Sequence, residues 1–198
     1  MGHQGRKYIQ TLKRLGLSLK WASNKPRFDA DSIIIATPAE SHYEISKKAI
    51  LLGRNVIIEK PMVMSVKEAE ELYELSIKKN ITGFVDHTHL YSQEFRKLQG
   101  PFERAFFTAG GPCKTNPIWD WGSHGVAMAI HLRVPCTGHI YEKRHAVLMT
   151  CYRGNEVFAY QGNSDTQPLE TLITEFLQAK HDQSGIKMGL DVAYVLCK

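Results

Sequence analysis

Asp31-Ser32-Ile33-Ile34-Ile35-Ala36-Thr37-Pro38, followed after a short stretch by Gly53-Arg54-Asn55-Val56-Ile57-Ile58-Glu59-Lys60-Pro61, decides the fold. The run Ser32 to Ala36 is almost unbroken in β-branched residues, a pattern that suits a strand covered by helices on both faces, as in a parallel sheet. It stops at Pro38, which has no amide hydrogen to give a ladder. Between the two apolar runs, Ile45, Ala49 and Leu52 recur at i, i+4 and i+7, so a helix is expected from about Ser41 to Leu52 with Gly53 as its left-handed C-terminal stop. Val56 to Ile58 is a second buried strand. Strand, helix and strand at this spacing form a βαβ unit with a right-handed crossover.

In a sheet of this type the ligand crevice lies beyond the carboxyl ends of the strands. Those ends read Ala36-Thr37-Pro38 and Glu59-Lys60-Pro61. A Glu-Lys pair where a buried strand leaves the sheet suits a functional edge; the alternative is an ordinary solvated pair.

Ala36-Thr37-Pro38, His42, Gly53-Arg54-Asn55-Val56 and Glu59-Lys60-Pro61, in this order and spacing, resemble the Gfo/Idh/MocA oxidoreductases. The resemblance implies an α/β chain: a Rossmann-like parallel sheet that binds NAD or NADP, then a smaller α+β substrate domain, with hydride transfer at a carbon of a sugar, polyol or nucleotide sugar. It further implies cofactor contacts from Thr37, Pro38, His42, Glu59, Lys60 and Pro61.

Gly2-His3-Gln4-Gly5 ahead of Arg6 to Leu12 is similar to the last two glycines of a dinucleotide loop, where amides approach the pyrophosphate at a helix N-terminus. Two glycines three apart are a weak signal alone, and a flexible start is the alternative. A Rossmann sheet needs a strand before this loop, so the sheet is expected to lack its first strand. The second strand's ribose-binding acid has no counterpart in Leu17 to Phe28. Lys25 or Arg27 is a candidate for a 2′-phosphate.

Ser65-Val66-Lys67-Glu68 has the spacing of a capping box and opens a helix reaching Asn80. Ile81 to Val85 reads as the next strand, with Asp86-His87-Thr88-His89 at its exit. The resemblance places this exit beside the nicotinamide, makes His87 a cofactor residue, and has a glycine where Asp86 stands. His87 and His89 have H-x-H spacing, which Asp120 and His124 complete only at long range, and no metal site is assigned.

The second constellation is Ile118-Trp119-Asp120-Trp121-Gly122-Ser123-His124. On a helix, Asp120 and His124 share a face, where a carboxylate can orient an imidazole that takes a proton near neutral pH. Alternatively, Asp120 caps the helix Gly122 to Leu132 and His124 packs inside. The resemblance favours the first reading and makes Lys60, His124 and Asp120 the catalytic set.

The boundary is read at residues 1–95 for the dinucleotide half and 96–198 for the substrate half. Strands are expected over Phe102 to Thr108, Gly138 to Glu142, His145 to Tyr152 and Glu156 to Gln161, then helices over Pro168 to Lys180 and Gly189 to Cys197, the last returning to the first domain. In the family the substrate sheet carries oligomer contacts, so a homo-oligomer is implied; here the sheet reads as shortened.

At 198 residues with 43% hydrophobic and 23% charged content, the chain is long enough to bury a core. A charge of +5 suits phosphate-bearing ligands, but Lys and Arg are spread along helices without interleaved aromatics, which argues against nucleic acid. No apolar run approaches the roughly 20 residues of a membrane span, and Met1 to Gly5 lacks a signal-peptide core. A cytoplasmic protein is expected, its scattered Cys113, Cys136, Cys151 and Cys197 reduced. The competing reading is a truncated, inactive relative that serves as a binding or partner subunit.

Overall fold

The computed structural model describes residues 2–20, 22, 25–111, 116–141, 146–162 and 167–197. Strands β1 (Ser32–Ile35), β2 (Asn55–Glu59) and β3 (Gly83–Asp86) pair in parallel in that order, with Ile33 beside Val56 and Ile58 beside Val85. Side chains alternate across the pleat. Ile33, Ile35, Val56, Ile58 and Val85 face one core with α2 (His42–Leu51) and α3 (Val66–Lys79). Ile34, Ile57 and Phe84 face another with α1 (His3–Arg14) and α6 (Gln167–Gln178). Helices thus cover both faces, as the β-branched run requires.

Local signals explain most boundaries. Gly53 takes φ +69° just past α2, the conformation only glycine adopts without strain. Ser65 does stand at the N-cap of α3, but its side chain makes no capping bond, so the expected box does not form. The strand expected from Ile81 begins two residues later. Ile81 N–H bonds back to Ser76 O past the left-handed Asn80, and Thr82 N–H donates to the Asn55 side chain. Both donors are committed before the ladder starts.

After the short helix α4 (Gln93–Arg96), a second sheet forms from β4 (Arg104–Gly110), β5 (Cys136–Tyr141), β6 (Ala146–Arg153) and β7 (Glu156–Gln161), in the order β5-β4-β6-β7. Only β4 and β5 run parallel. Helix α5 (Ser123–Leu132) packs on this sheet through Ala127, Met128 and Ala129. Cys113 and the expected strand ends Glu142 and His145 lie outside the described residues. Cys136, Cys151 and Cys197 are free thiols.

The last helix, α7 (Ser184–Leu196), starts five residues before the expected Gly189. Its Ile186, Leu190 and Ala193 join the first sheet's core, and Val192 joins the second's. Burying each such Ile or Leu contributes about 1.5–3 kcal/mol, so one helix joins the two cores.

Candidate active site

A cleft of about 1030 Å³ opens along the carboxyl edge of the first sheet. That volume is at the upper end of the roughly 300–1,000 Å³ usual for ligand sites. Gly2, Gly5, Thr37, Pro38, His42, Glu59, Lys60 and Asp120 line it, bringing together segments up to 118 residues apart. Pro61, His87 and His124 do not line it. At one end is the N-terminus of α1, where Gly2 is extended at the N-cap and no acid occupies the first turn. Gly5, expected in a loop, lies within that first turn instead. A helix start free of acids favours an anionic group, so the cleft has the donor chemistry a pyrophosphate needs.

His42 fixes the turns on either side of the cleft's middle. Its Nδ1 lies 2.8 Å from Pro61 O and its Nε2 2.8 Å from Thr37 O. One ring therefore ties the end of β1 to the turn after β2. This explains why Pro61 matters without facing the cleft: its carbonyl is spent on His42. Burial lowers the His42 pKa, acting against the charge that two carbonyl partners would favour.

Glu59 is not a solvated partner of Lys60, for it is 5% exposed. It stands directly opposite Asp86 in the β2–β3 register. Asp86 is just as buried and accepts hydrogen bonds from Tyr8 Oη at 2.6 Å and from the Thr88 hydroxyl. Burial, followed by the neighbouring Asp86 charge, raises the Glu59 pKa well above the usual carboxylate range. The acid where the family resemblance has a glycine is thus held by a tyrosine from α1. Tyr8→Phe is expected to cost roughly 1–3 kcal/mol of stability, because a buried carboxylate loses a donor; urea unfolding at pH 7 measures it, and an unchanged midpoint would refute this account.

Lys60 and Asp120 meet across the junction of the sheets. The Lys60 ammonium pairs with the Asp120 carboxylate and donates to Asp120 O at 3.0 Å, with 12% of its side chain exposed. The Trp121 ring is 5.5 Å from Lys60 Nζ and 6.1 Å from the His124 ring, so both side chains approach one indole.

Asp120 does not orient His124 in the manner expected from four-residue spacing. Residues Ile118–Gly122 form a π turn ahead of α5, which changes the angular step, and Asp120's carboxylate is already bound to Lys60. Nor does Asp120 cap α5, whose N-cap is Gly122. His124 Nδ1 is buried with no hydrogen-bond partner. Burial lowers its pKa well below the ordinary histidine value, and the positive charge of Lys60 acts in the same direction, so the ring is neutral at pH 7.

His87 and His89 lie beyond the strand, since β3 ends at Asp86 and a 3₁₀ turn, Thr88–Tyr91, follows. Their rings diverge. Both nitrogens of His87 are buried and unpartnered, whereas His89 contacts Tyr160 and His124. Burial pushes the His87 pKa down to about 3 and that of His89 to about 4. Among the described residues, no three His, Cys, Asp or Glu side chains gather to hold a metal, and no helix is long and apolar enough to cross a membrane. Lys20, which lines the cleft, and Arg27, which does not, are both paired with Asp29.

Comparison with known proteins gives this geometry a lineage. Residues 17–87 match the model of the oxidoreductase family with an NAD-binding Rossmann fold. An uncharacterised oxidoreductase of Synechocystis is 42% identical over 103 residues, covering 47% of this chain and 28% of that protein. The scyllo-inositol 2-dehydrogenase (NADP(+)) IolW of Bacillus subtilis is 26% identical over 135 residues, covering 58% of this chain and 37% of its own length. The chain therefore spans well under half of either relative. The crystal structure of a putative oxidoreductase from Magnetospirillum magnetotacticum superposes with TM-score 0.77 at 20% identity, covering 96% of this chain and 94% of that one. Over residues 17–87 the chain is thus similar to the Gfo/Idh/MocA oxidoreductases, and along nearly its whole length it shares the fold of that solved structure.

Proposed function

We propose that the protein binds NAD or NADP in the cleft along the first sheet and oxidises a secondary hydroxyl of a sugar, polyol or nucleotide sugar, or runs the reverse reduction. Residues 1–95 supply the cofactor half and 96–198 the substrate half. The observation that carries the reading is that Lys60, at the edge of a cleft that starts on the N-terminus of α1, and His124, buried outside its lining, both approach the Trp121 ring. Gly2 and Gly5 offer amides to the diphosphate, Thr37, Pro38 and His42 shape the middle, and Glu59 lines the edge beside it. A bound nicotinamide supplies the hydride chemistry, which no side chain here can replace.

His124 accepts the hydroxyl proton at Nε2, leaving Nδ1 to the interior. Its lowered pKa keeps it in the form that can accept. Lys60 hydrogen-bonds the same oxygen and stabilises negative charge as the proton leaves. Asp120 holds the Lys60 ammonium in position until the hydroxyl replaces that contact.

The test is a titration with NADH and NADPH followed by nicotinamide fluorescence, then turnover on a panel of inositols, hexoses and nucleotide sugars. Saturable binding and turnover are expected, with Lys60→Ala and His124→Ala each losing about 10²-fold or more in rate while keeping the fold. Binding without turnover would favour the second reading, a binding or partner subunit without activity. That reading is favoured by the outer edge of β1, which pairs with no strand among the described residues. No fluorescence change at millimolar cofactor would sink the first.

A further inference from the structure

A histidine that takes a proton at one ring nitrogen normally has an acceptor at the other, which fixes its tautomer and orientation. Asp120 does not fill that place, since its carboxylate is on Lys60, and His124 Nδ1 meets no polar partner. What holds the ring instead is another histidine. The His89 ring lies edge to face with His124, centroids 4.8 Å apart at 79°, the arrangement such rings prefer.

His89 is itself fixed from two further sides. Its Nδ1 is 2.8 Å from Tyr160 Oη, and the two rings cross at 70° with centroids 5.8 Å apart. Tyr160, 3% exposed on β7, is anchored in turn by Phe95 at 5.4 Å. Behind His89 sits Gly162. A Cβ on Gly162 would come within 2.7 Å of His89 Cε1 and 3.0 Å of Nδ1, so only a residue without a side chain leaves room for the ring. His89, like His124, lies outside the residues that line the cleft, and it meets the site through its contact with the His124 ring.

We propose that His89, held by Tyr160 and seated against Gly162, is the positioning residue of His124, serving in the role that Asp120 gives up to Lys60. This rests on the reading of His124 as the base. The chain is thereby organised as a relay of orientation: Phe95 sets Tyr160, Tyr160 sets His89, and His89 sets His124.

The experiment is nitrogen-15 NMR of the full-length protein at pH 7, labelled in the imidazole rings, comparing the parent with Tyr160→Phe, Gly162→Ala and His89→Gln. In the parent, His124 is expected to give one proton-bearing and one bare nitrogen, the signature of a single fixed tautomer. In Tyr160→Phe and Gly162→Ala its two nitrogen signals are expected to move toward each other as the tautomers average. For any substrate that turns over, kcat/KM is expected to fall about 10-fold to 10²-fold, with the NADPH fluorescence titration unchanged. His124 signals that stay put in both variants overturn the proposal, whatever the turnover. Should His89→Gln fail to fold, the other two variants decide. Shifted signals in a protein without any turnover would keep the positioning role and remove the dehydrogenase reading; normal turnover with unmoved signals would do the reverse.

Discussion

Between pH 7.5 and pH 5 the thermal midpoint of this protein is expected to collapse. His87 and His124 are buried and His89 partly so, all three are neutral, and each would have to be hydrated to take a proton. Their folded-state pKa values lie below the unfolded value of about 6.5. The unfolded chain therefore binds more protons than the native one at every pH between the two values, and stability falls as pH falls through that window. The window runs from 6.5 down to about 4 for His89 and about 3 for His87. Each imidazole removes about 1.4 kcal/mol per pH unit.

Glu59 acts in the opposite direction. Its pKa is raised in the fold, so its contribution is complete below the unfolded value near 4.5 and is lost as pH rises above it. His87 and His89 together remove about 3 kcal/mol per pH unit between about 4 and 6, with His42 and His124 acting in the same direction and Glu59 against them, a loss over two units comparable to the lower end of the roughly 5–15 kcal/mol of a typical domain. Calorimetry at pH 7.5, 6 and 5 measures it, with His87→Leu expected to flatten the profile. A midpoint constant across that range would mean that these rings are hydrated or paired.

Gly185→Ala is expected to lower stability by about 3 kcal/mol or more, a drop in thermal midpoint of roughly 6–12 °C. Gly185 starts α7 against β3, and a Cβ there would lie 2.6 Å from Phe84 Cα and 2.9 Å from Gly83 O. Both are main-chain atoms of a buried strand, so neither can rotate aside. The helix start has to lift, and Ile186 and Leu190 leave the first core with it. Gly122→Ala is the control, because its Cβ meets nothing closer than 3.5 Å. That variant is expected to stay within about 1 kcal/mol of the parent. Equal effects at both glycines would show that close packing of α7 on β3 is not what holds the helix.

The elements legible in the sequence were those fixed by local pattern. The isoleucine run of β1, the i, i+4, i+7 stripe of α2 and the stop at Gly53 are contained in about 30 residues, and the parallel sheet follows from them. The meeting of Thr37-Pro38 with Glu59-Lys60 at one edge was legible for the same reason, since strand direction alone places both there. The partnerships that define the site's chemistry have no periodicity to betray them. Tyr8 reaches Asp86 across 78 positions, His89 reaches Tyr160 across 71, and Lys60 takes Asp120 across 60. The last of these also spoiled the local reading. Four-residue spacing gave Asp120 to His124, but a π turn and a distant lysine reassigned the carboxylate. The Ser65 capping box failed because spacing states where a cap belongs, not whether its side chain turns inward.

The open flank of β1 has a consequence for how the cleft is shared. Ile33 and Ile34 line the same space that carries the N-terminus of α1, and the strand's main-chain groups on that side meet no neighbouring strand among the described residues. Unsatisfied strand borders recruit extended polypeptide. Under the proposed function, an extended segment that added to β1 would compete with a dinucleotide for the cleft that Ile33 and Ile34 line.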